Sequence, residues 1–162
     1  MHPISIAELL VLLMLANGAP VMGKKLLGDH LAYPLDGDLR LSDKQPLFGR
    51  SKTLRGIVLS VIVTAGAAPL FAMSPWTGLL IAAAAMAGDL LSSFIKRRLH
   101  LQPSTQFIGL DQIPESLFPA LACRTLLQLT FVDVALVVIL FFIGELMLSR
   151  LLYALKIRDR PY

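Results

Sequence analysis

Apolar and polar residues alternate along this chain in long blocks. Apolar runs cover residues 4–22, 57–73, 77–95, 113–130 and 132–155. A hydrophobic run of about 20 residues suits a helix crossing a bilayer. The two final runs are too long together for one span, although no strong turn signal marks their division near Val132-Asp133. The pattern predicts an all-α integral membrane bundle of about five transmembrane helices, a single domain over 1–162. Two polar segments interrupt it, at 23–56 and 96–112. The first, with Pro34, Pro46 and several glycines, reads as a turn-rich loop with room for one short helix. A loop this long in a small bundle is more often functional than not. Trp76 stands where an interfacial aromatic anchor is expected. The small residues of the third run (Ala82 to Ala85, Ala87, Gly88) predict a central helix that neighbours approach closely.

Composition agrees. Hydrophobic residues make up 56% of the 162, above the roughly 45–50% of soluble domains. The formal net charge is +4, and its distribution matters more than its size. With five spans, both polar segments and the basic tail 156–162 fall on one side. They hold every Lys and Arg except Arg124 and Arg150. The positive-inside rule then predicts a multi-pass protein of the cell (inner) membrane, with its N-terminus outside and its polar loops cytoplasmic. Basic loops of this kind face anionic lipid first, and no nucleic acid partner is expected. A cleaved signal peptide over the first run would require a basic start, but no Lys or Arg precedes Lys24. The lone Cys123 permits neither an internal disulfide nor a zinc motif.

Candidate chemistry concentrates in 88–115. Asp89 stands inside the third apolar run, and the helix leaves that run as Lys96-Arg97-Arg98. Positions 89, 92, 93, 96 and 97 share one helical face, so one stripe carries a carboxylate, the hydroxyls of Ser92 and Ser93, and two cations. Asp89 lies roughly 10 Å from Lys96 along the axis. The plain reading pairs it with Lys96 or Arg97 to fix helix packing, and treats the cations as positive-inside flanks. Against that, Asp111 adds a second carboxylate, and two carboxylates supply the hard oxygen ligands that Mg²⁺ takes. The cations could hold phosphate oxygens. Earlier in the chain, Lys52, Thr53 and Arg55 precede a helix start that could bind an anion, although no Walker A pattern surrounds them. Asp36-Gly37-Asp38 is no EF-hand, because Arg40 takes a ligand position. Asn17 and Pro20 should break the first helix, either freeing carbonyls near the inner face or simply ending it. His2, His30 and His100 are scattered and default to surface positions.

Gly88-Asp89-Leu90, Ser93-Phe94-Ile95-Lys96-Arg97-Arg98 and Leu110-Asp111-Gln112-Ile113 resemble the signature of membrane CTP-dependent phosphatidate cytidylyltransferases. The closer likeness is to the small archaeal-type branch, CDP-archaeol synthase. Asn17-Gly18-Ala19-Pro20, Pro34-Leu35-Asp36-Gly37, Pro46-Leu47-Phe48-Gly49, Lys52-Thr53-Leu54-Arg55-Gly56 and Asp159-Arg160-Pro161-Tyr162 resemble it too, so the likeness spans nearly the whole chain. It implies transfer of the cytidylyl group of CTP to a membrane lipid phosphate, with Mg²⁺ as cofactor and pyrophosphate as product. The implied lipid is an ether-linked isoprenoid (geranylgeranyl) glycerol phosphate, with phosphatidate as the alternative. Asp89 and Asp111 would hold the metal and, with Lys96, form the catalytic set. Lys52, Thr53, Arg55, Arg97 and Arg98 would bind CTP, with Asn17, Ser93 and Gln112 completing the nucleotide set. Two positions depart from the family pattern. Pro114 stands where a second acid is usual, with Glu115 next, and His100 stands where Gly is common.

The implied nucleophile is the lipid's own phosphate. Its second pKa near 6 leaves it mostly deprotonated at neutral pH, so no protein base is required. Two readings of other classes remain. A small transporter would line a path with Glu8, Asp89, Arg124 and Glu145, although no internal repeat supports it. A structural subunit would carry these motifs as relics. Oligomeric state is open.

Overall fold

The computed structural model describes residues 2–102, 105 and 107–155. The tail 156–162, with its Asp-Arg-Pro-Tyr motif, lies outside the described residues. Among the described residues five α-helices follow one another: α1 (Pro3–Leu27), α2 (Leu54–Ala67), α3 (Pro75–Arg98), α4 (Gln112–Ala122) and α5 (Phe131–Ala154). A 3-10 turn, Ala68–Phe71, extends α2.

Helix α1 differs from expectation, because it runs unbroken through Asn17 and Pro20 for 25 residues. Pro20 lacks an N–H and costs one helical hydrogen bond. In an apolar setting, abandoning the helix would leave many more backbone groups unsatisfied. The start of α2 also seats against this proline: a Cβ on Gly56 would lie 3.3 Å from Pro20 Cβ. The helix ends instead at Gly28, whose φ of 53° suits glycine and whose N–H returns to the Lys24 carbonyl.

Thr53 caps α2 by accepting from the Gly56 N–H at 3.1 Å. Pro69 stops regular α-helix and Ala72 turns the chain at φ 55°. Ser74 then caps α3 through the Thr77 N–H at 3.2 Å. Trp76 is exposed at this end, as an interfacial anchor would be.

Helix α3 is central, packing against α1, α2 and α4. Its glycines make this possible. A Cβ on Gly78 would lie 2.7 Å from the α2 backbone, and one on Gly88 would lie 2.3 Å from the Pro114 carbonyl. The core joins Leu9, Leu12 and Leu13 of α1, Ile81 and Ala85 of α3, Ala120, Cys123, and Val137 and Phe141 of α5. Burial pushes the Cys123 thiol up to about 11.

The fourth apolar run forms a shorter helix than its length implied. Helix α4 has 11 residues, about 16 Å of rise, against a hydrocarbon core of about 30 Å. Turns occupy 123–128, and α5 begins at Phe131 rather than at a bend near Val132. The cause is a capping box: Thr130 Oγ1 accepts from the Asp133 N–H at 3.2 Å, and the Asp133 carboxylate accepts from the Thr130 N–H at 3.0 Å. Among the described residues four helical stretches are long and apolar enough to cross a membrane: Pro3–Leu27, Leu54–Phe71, Pro75–Arg98 and Phe131–Leu151. The protein is therefore a multi-pass membrane protein. The segments 28–53, 99–102 and 107–111 lie at one mouth of the bundle. His2, the 3-10 turn and 123–130 lie at the other.

Candidate active site

The 28–53 segment contains no helix among its residues; two isolated bridges, Pro34 to Thr53 and Arg40 to Pro46, fold it into a compact flap. Asp36 is its anchor, accepting from the N–H groups of Phe48 (2.9 Å) and Gly49 (3.0 Å). Burial works against its charge, but these backbone donors win and hold its carboxyl below the usual range. The Leu35 N–H donates to the Lys52 carbonyl at 2.8 Å. The flap thereby presents Lys52 to the bundle, where its Nζ donates to both Asp89 oxygens, at 2.6 and 2.5 Å.

Asp89 is reached from a second side because Gly88 has no side chain. Pro114 sits in the first turn of α4, where a missing N–H costs nothing. Its backbone closes on Gly88. The next residue, Glu115, is thereby brought into hydrogen-bonding contact with Asp89. Glu115 also feels the charge of Glu145 on α5. Burial opposes the charge on Lys52, but the carboxylates of Asp89, Glu115 and Asp111 outweigh it and raise the Lys52 pKa.

A second pair stands beside the first. Lys96 Nζ lies 2.6 Å from Asp111 Oδ1 and donates to the Thr105 carbonyl at 3.1 Å. Asp111 Oδ2 accepts from the Phe107 N–H. Asp89 thus pairs with Lys52 across the fold, not with Lys96 or Arg97 of its own helix. Seven residues along a helix is too far for that contact.

Arg97 is buried and donates to the Gln102 carbonyl at 2.8 Å. Arg98 stacks over Phe94 and donates to Asp43 at 2.6 Å and to the Pro46 carbonyl at 2.7 Å, tying the flap to α3. Ser93 is buried on the Asp89 face, while Ser92 Oγ turns back onto the Asp89 carbonyl. Gln112 accepts from the Gly109 N–H. The buried Nε of Arg97 and of Arg98, and Nε2 of Gln112, have no hydrogen-bond partner among the described residues. A cavity of about 520 Å³ opens between flap and α3, lined by Arg40, Arg50, Arg97 and His100 among others.

Three expected residues stand apart. Thr53 is occupied as the α2 cap. Arg55 donates to the carbonyls of Gly28 and His30, fastening the end of α1. Asn17 lies within α1, its Nδ2 buried and without a hydrogen-bond partner among the described residues. His2 is not a plain surface histidine either: its Nδ1 lies 3.2 Å from Asp133 Oδ2. Arg124 sits at the far mouth, 4.0 Å over the Phe131 ring and donating to the Leu129 carbonyl. It therefore lines no path with Asp89.

The donor chemistry suits a hard divalent cation. Carboxylates of Asp89 and Glu115 converge, and Asp111 stands near enough to act on Lys52. No three His, Cys, Asp or Glu side chains among the described residues close into a metal site, however. The ammonium of Lys52 is seated on Asp89 instead.

Fold and site together define a multi-pass helical membrane protein with a polar, cation-rich centre at one mouth. Comparison with known proteins narrows this. The family model described as CarS-like CDP-archaeol synthase matches residues 65–162. The chain is 37% identical over 123 residues to a CDP-archaeol synthase of Pyrococcus furiosus, covering 69% of this chain and 70% of that one. It is 36% identical over 104 residues to one of Hyperthermus butylicus, covering 60% of this chain and 59% of that relative's length. A solved structure, described as an intramembrane enzyme for archaeal membrane lipids biosynthesis, shares the fold. Its TM-score is 0.72 at 24% identity, over 86% of this chain and 91% of that one. This chain belongs to the CDP-archaeol synthase family.

Proposed function

We propose that the protein transfers the cytidylyl group of CTP to a membrane lipid phosphate, giving a CDP-lipid and pyrophosphate. One observation carries the reading: two lysine–carboxylate pairs, Lys52–Asp89 and Lys96–Asp111, stand side by side at one bundle mouth beside the buried Arg97. Such a site neutralises and positions phosphates without a placed base, which is what nucleotidyl transfer to a ready-made phosphate nucleophile needs.

In this reading Asp89 and Asp111 would hold Mg²⁺, with Glu115 supplying the acid that Pro114 cannot. The metal, when bound, neutralises phosphate charge at the bond that breaks. Lys52, Lys96, Arg97 and Arg98 hold the triphosphate, and Ser93 and Gln112 complete the polar wall. Thr53 and Arg55 act through the flap, by capping α2 and by fixing the end of α1. The lipid phosphate attacks the α-phosphorus of CTP, the new P–O bond replaces the bond to the β-phosphate oxygen, and pyrophosphate leaves. The lipid tails stay in the bilayer, and the site mouth faces the cytoplasm, where CTP is found. The favoured lipid is the ether-linked isoprenoid glycerol phosphate of the family's name, ahead of phosphatidate.

Pyrophosphate release by the purified protein, with CTP, Mg²⁺ and ether- or ester-linked lipid phosphates side by side, tests this. Turnover is expected with the ether lipid. Turnover with phosphatidate alone would reassign the substrate, and none with either lipid would remove the activity.

A further inference from the structure

We infer that Lys52 is the resident counter-cation of the metal site and leaves Asp89 when a divalent ion enters, so that ion and nucleotide are taken up together. The inference rests on the cytidylyltransferase reading, but its test separates the two.

Both oxygens of Asp89 are engaged by one ammonium, at 2.6 and 2.5 Å. A Mg²⁺ ligand oxygen lies about 2.0–2.1 Å from its ion. An ammonium held against both oxygens of the same carboxylate takes the lone pairs that a chelated ion would use, and the two cations would repel at close range. One must yield, and the structure shows which part can move. The Lys52 backbone is pinned by Leu35 N–H to Lys52 carbonyl (2.8 Å) and Lys52 N–H to Gly49 carbonyl (3.0 Å). Displacement is therefore a swing of the flexible lysine stem, with the flap kept in place.

The neighbouring lysine is held differently. Lys96 Nζ has a second acceptor, the Thr105 carbonyl, besides Asp111. The hydrogen bonds of Lys52 Nζ among the described residues go to Asp89 alone. A displaced Lys52 is mostly shielded, its side chain 23% exposed, and an unpaired ammonium there is costly. A phosphate group relieves that cost by accepting the freed ammonium. Metal entry alone is thus opposed, nucleotide entry alone meets an ammonium already neutralised by Asp89, and the two together satisfy every charge. Positive coupling follows, equal in both directions by linkage.

The test is Mn²⁺ binding to the detergent-purified full chain, followed by the electron paramagnetic resonance signal of free Mn²⁺, with no lipid present. In parallel, labelled CTP is bound with and without Mn²⁺. The wild type should bind CTP roughly tenfold or more tightly with Mn²⁺ than without. Lys52→Met should bind Mn²⁺ alone severalfold more tightly than the wild type and gain less from the partner ligand. Lys52→Gln serves as a second variant of similar length. If the variants bind Mn²⁺ alone no more tightly than the wild type, or if the wild type shows no mutual enhancement, the exchange is wrong. If the wild type binds neither CTP nor Mn²⁺–CTP, the cytidylyltransferase reading fails with it.

Discussion

The two mouths of this bundle use similar residues to different ends. At the far mouth Asp133 is fully buried, yet its oxygens meet the Thr130 N–H and Oγ1, the His2 N–H and the His2 ring. Each contact closes a helix end or fastens α1 to α5. At the near mouth Asp89 and Asp111 meet lysines, and close by lie buried guanidinium and amide nitrogens that have no hydrogen-bond partner among the described residues. Buried polar groups are rarely left unsatisfied in a finished core. A saturated carboxylate builds the fold; a carboxylate held by a lysine ammonium amid unsatisfied donors is suited to a charged ligand.

The comparison breaks most visibly at Asp89. Asp89→Asn should lower CTP turnover at least about a hundredfold, measured as pyrophosphate release; a variant within a few-fold of wild type would make the near mouth structural. Next comes Gly88→Ala, whose Cβ would stand 2.3 Å from the Pro114 carbonyl. Forcing α3 and α4 apart should cost roughly 1–3 kcal/mol and pull Glu115 from Asp89. Thermal unfolding in detergent reads the loss, and an unchanged Tm would contradict this seating of α4. Asp133→Ala should cost about 1 kcal/mol as a lost cap, while activity per folded molecule is retained. Lost activity there would erase the distinction between the mouths.

Much of this was legible in the residues. Long apolar runs marked α1, α2, α3 and α5, because burial in lipid demands uninterrupted helix. Asp89 and Asp111 stood out as carboxylates beside or within apolar runs. What was hidden depends on tertiary contact. Pro20 signals a break, but packing against Gly56 and the bilayer's demand for backbone pairing keep α1 whole. The Thr130 to Asp133 spacing was a readable capping box inside a run that hydropathy alone treats as uniform. Glu115 was visible as a neighbour of the unexpected Pro114, but its contact with Asp89 follows from Gly88, a pairing no local period encodes. The Lys52–Asp89 pair joins residues 37 positions apart, and nothing in the spacing around Arg55 encodes its contact with the Gly28 carbonyl at the end of α1.

The smallest expected effect concerns the flap. The Asp36 pKa is depressed by the Phe48 and Gly49 N–H groups. Its contribution is therefore present above the ordinary carboxylate pKa of about 4 and fades as pH falls through the lower folded value. Protease protection of 28–53 should hold from neutral pH to about pH 4 and weaken below it. Asp36→Asn should remove that pH-dependent step.

The most direct test of the account follows the phosphorus atoms of CTP. Purified protein is given an ether-linked lipid phosphate, Mg²⁺, and CTP labelled at either the α- or the γ-phosphate. The α-label should enter the lipid, the γ-label should leave as pyrophosphate, and both should stop in Asp89→Asn. Label from the γ-phosphate in the lipid, or α-label transfer that survives Asp89→Asn, would contradict a cytidylyl transfer centred on this site.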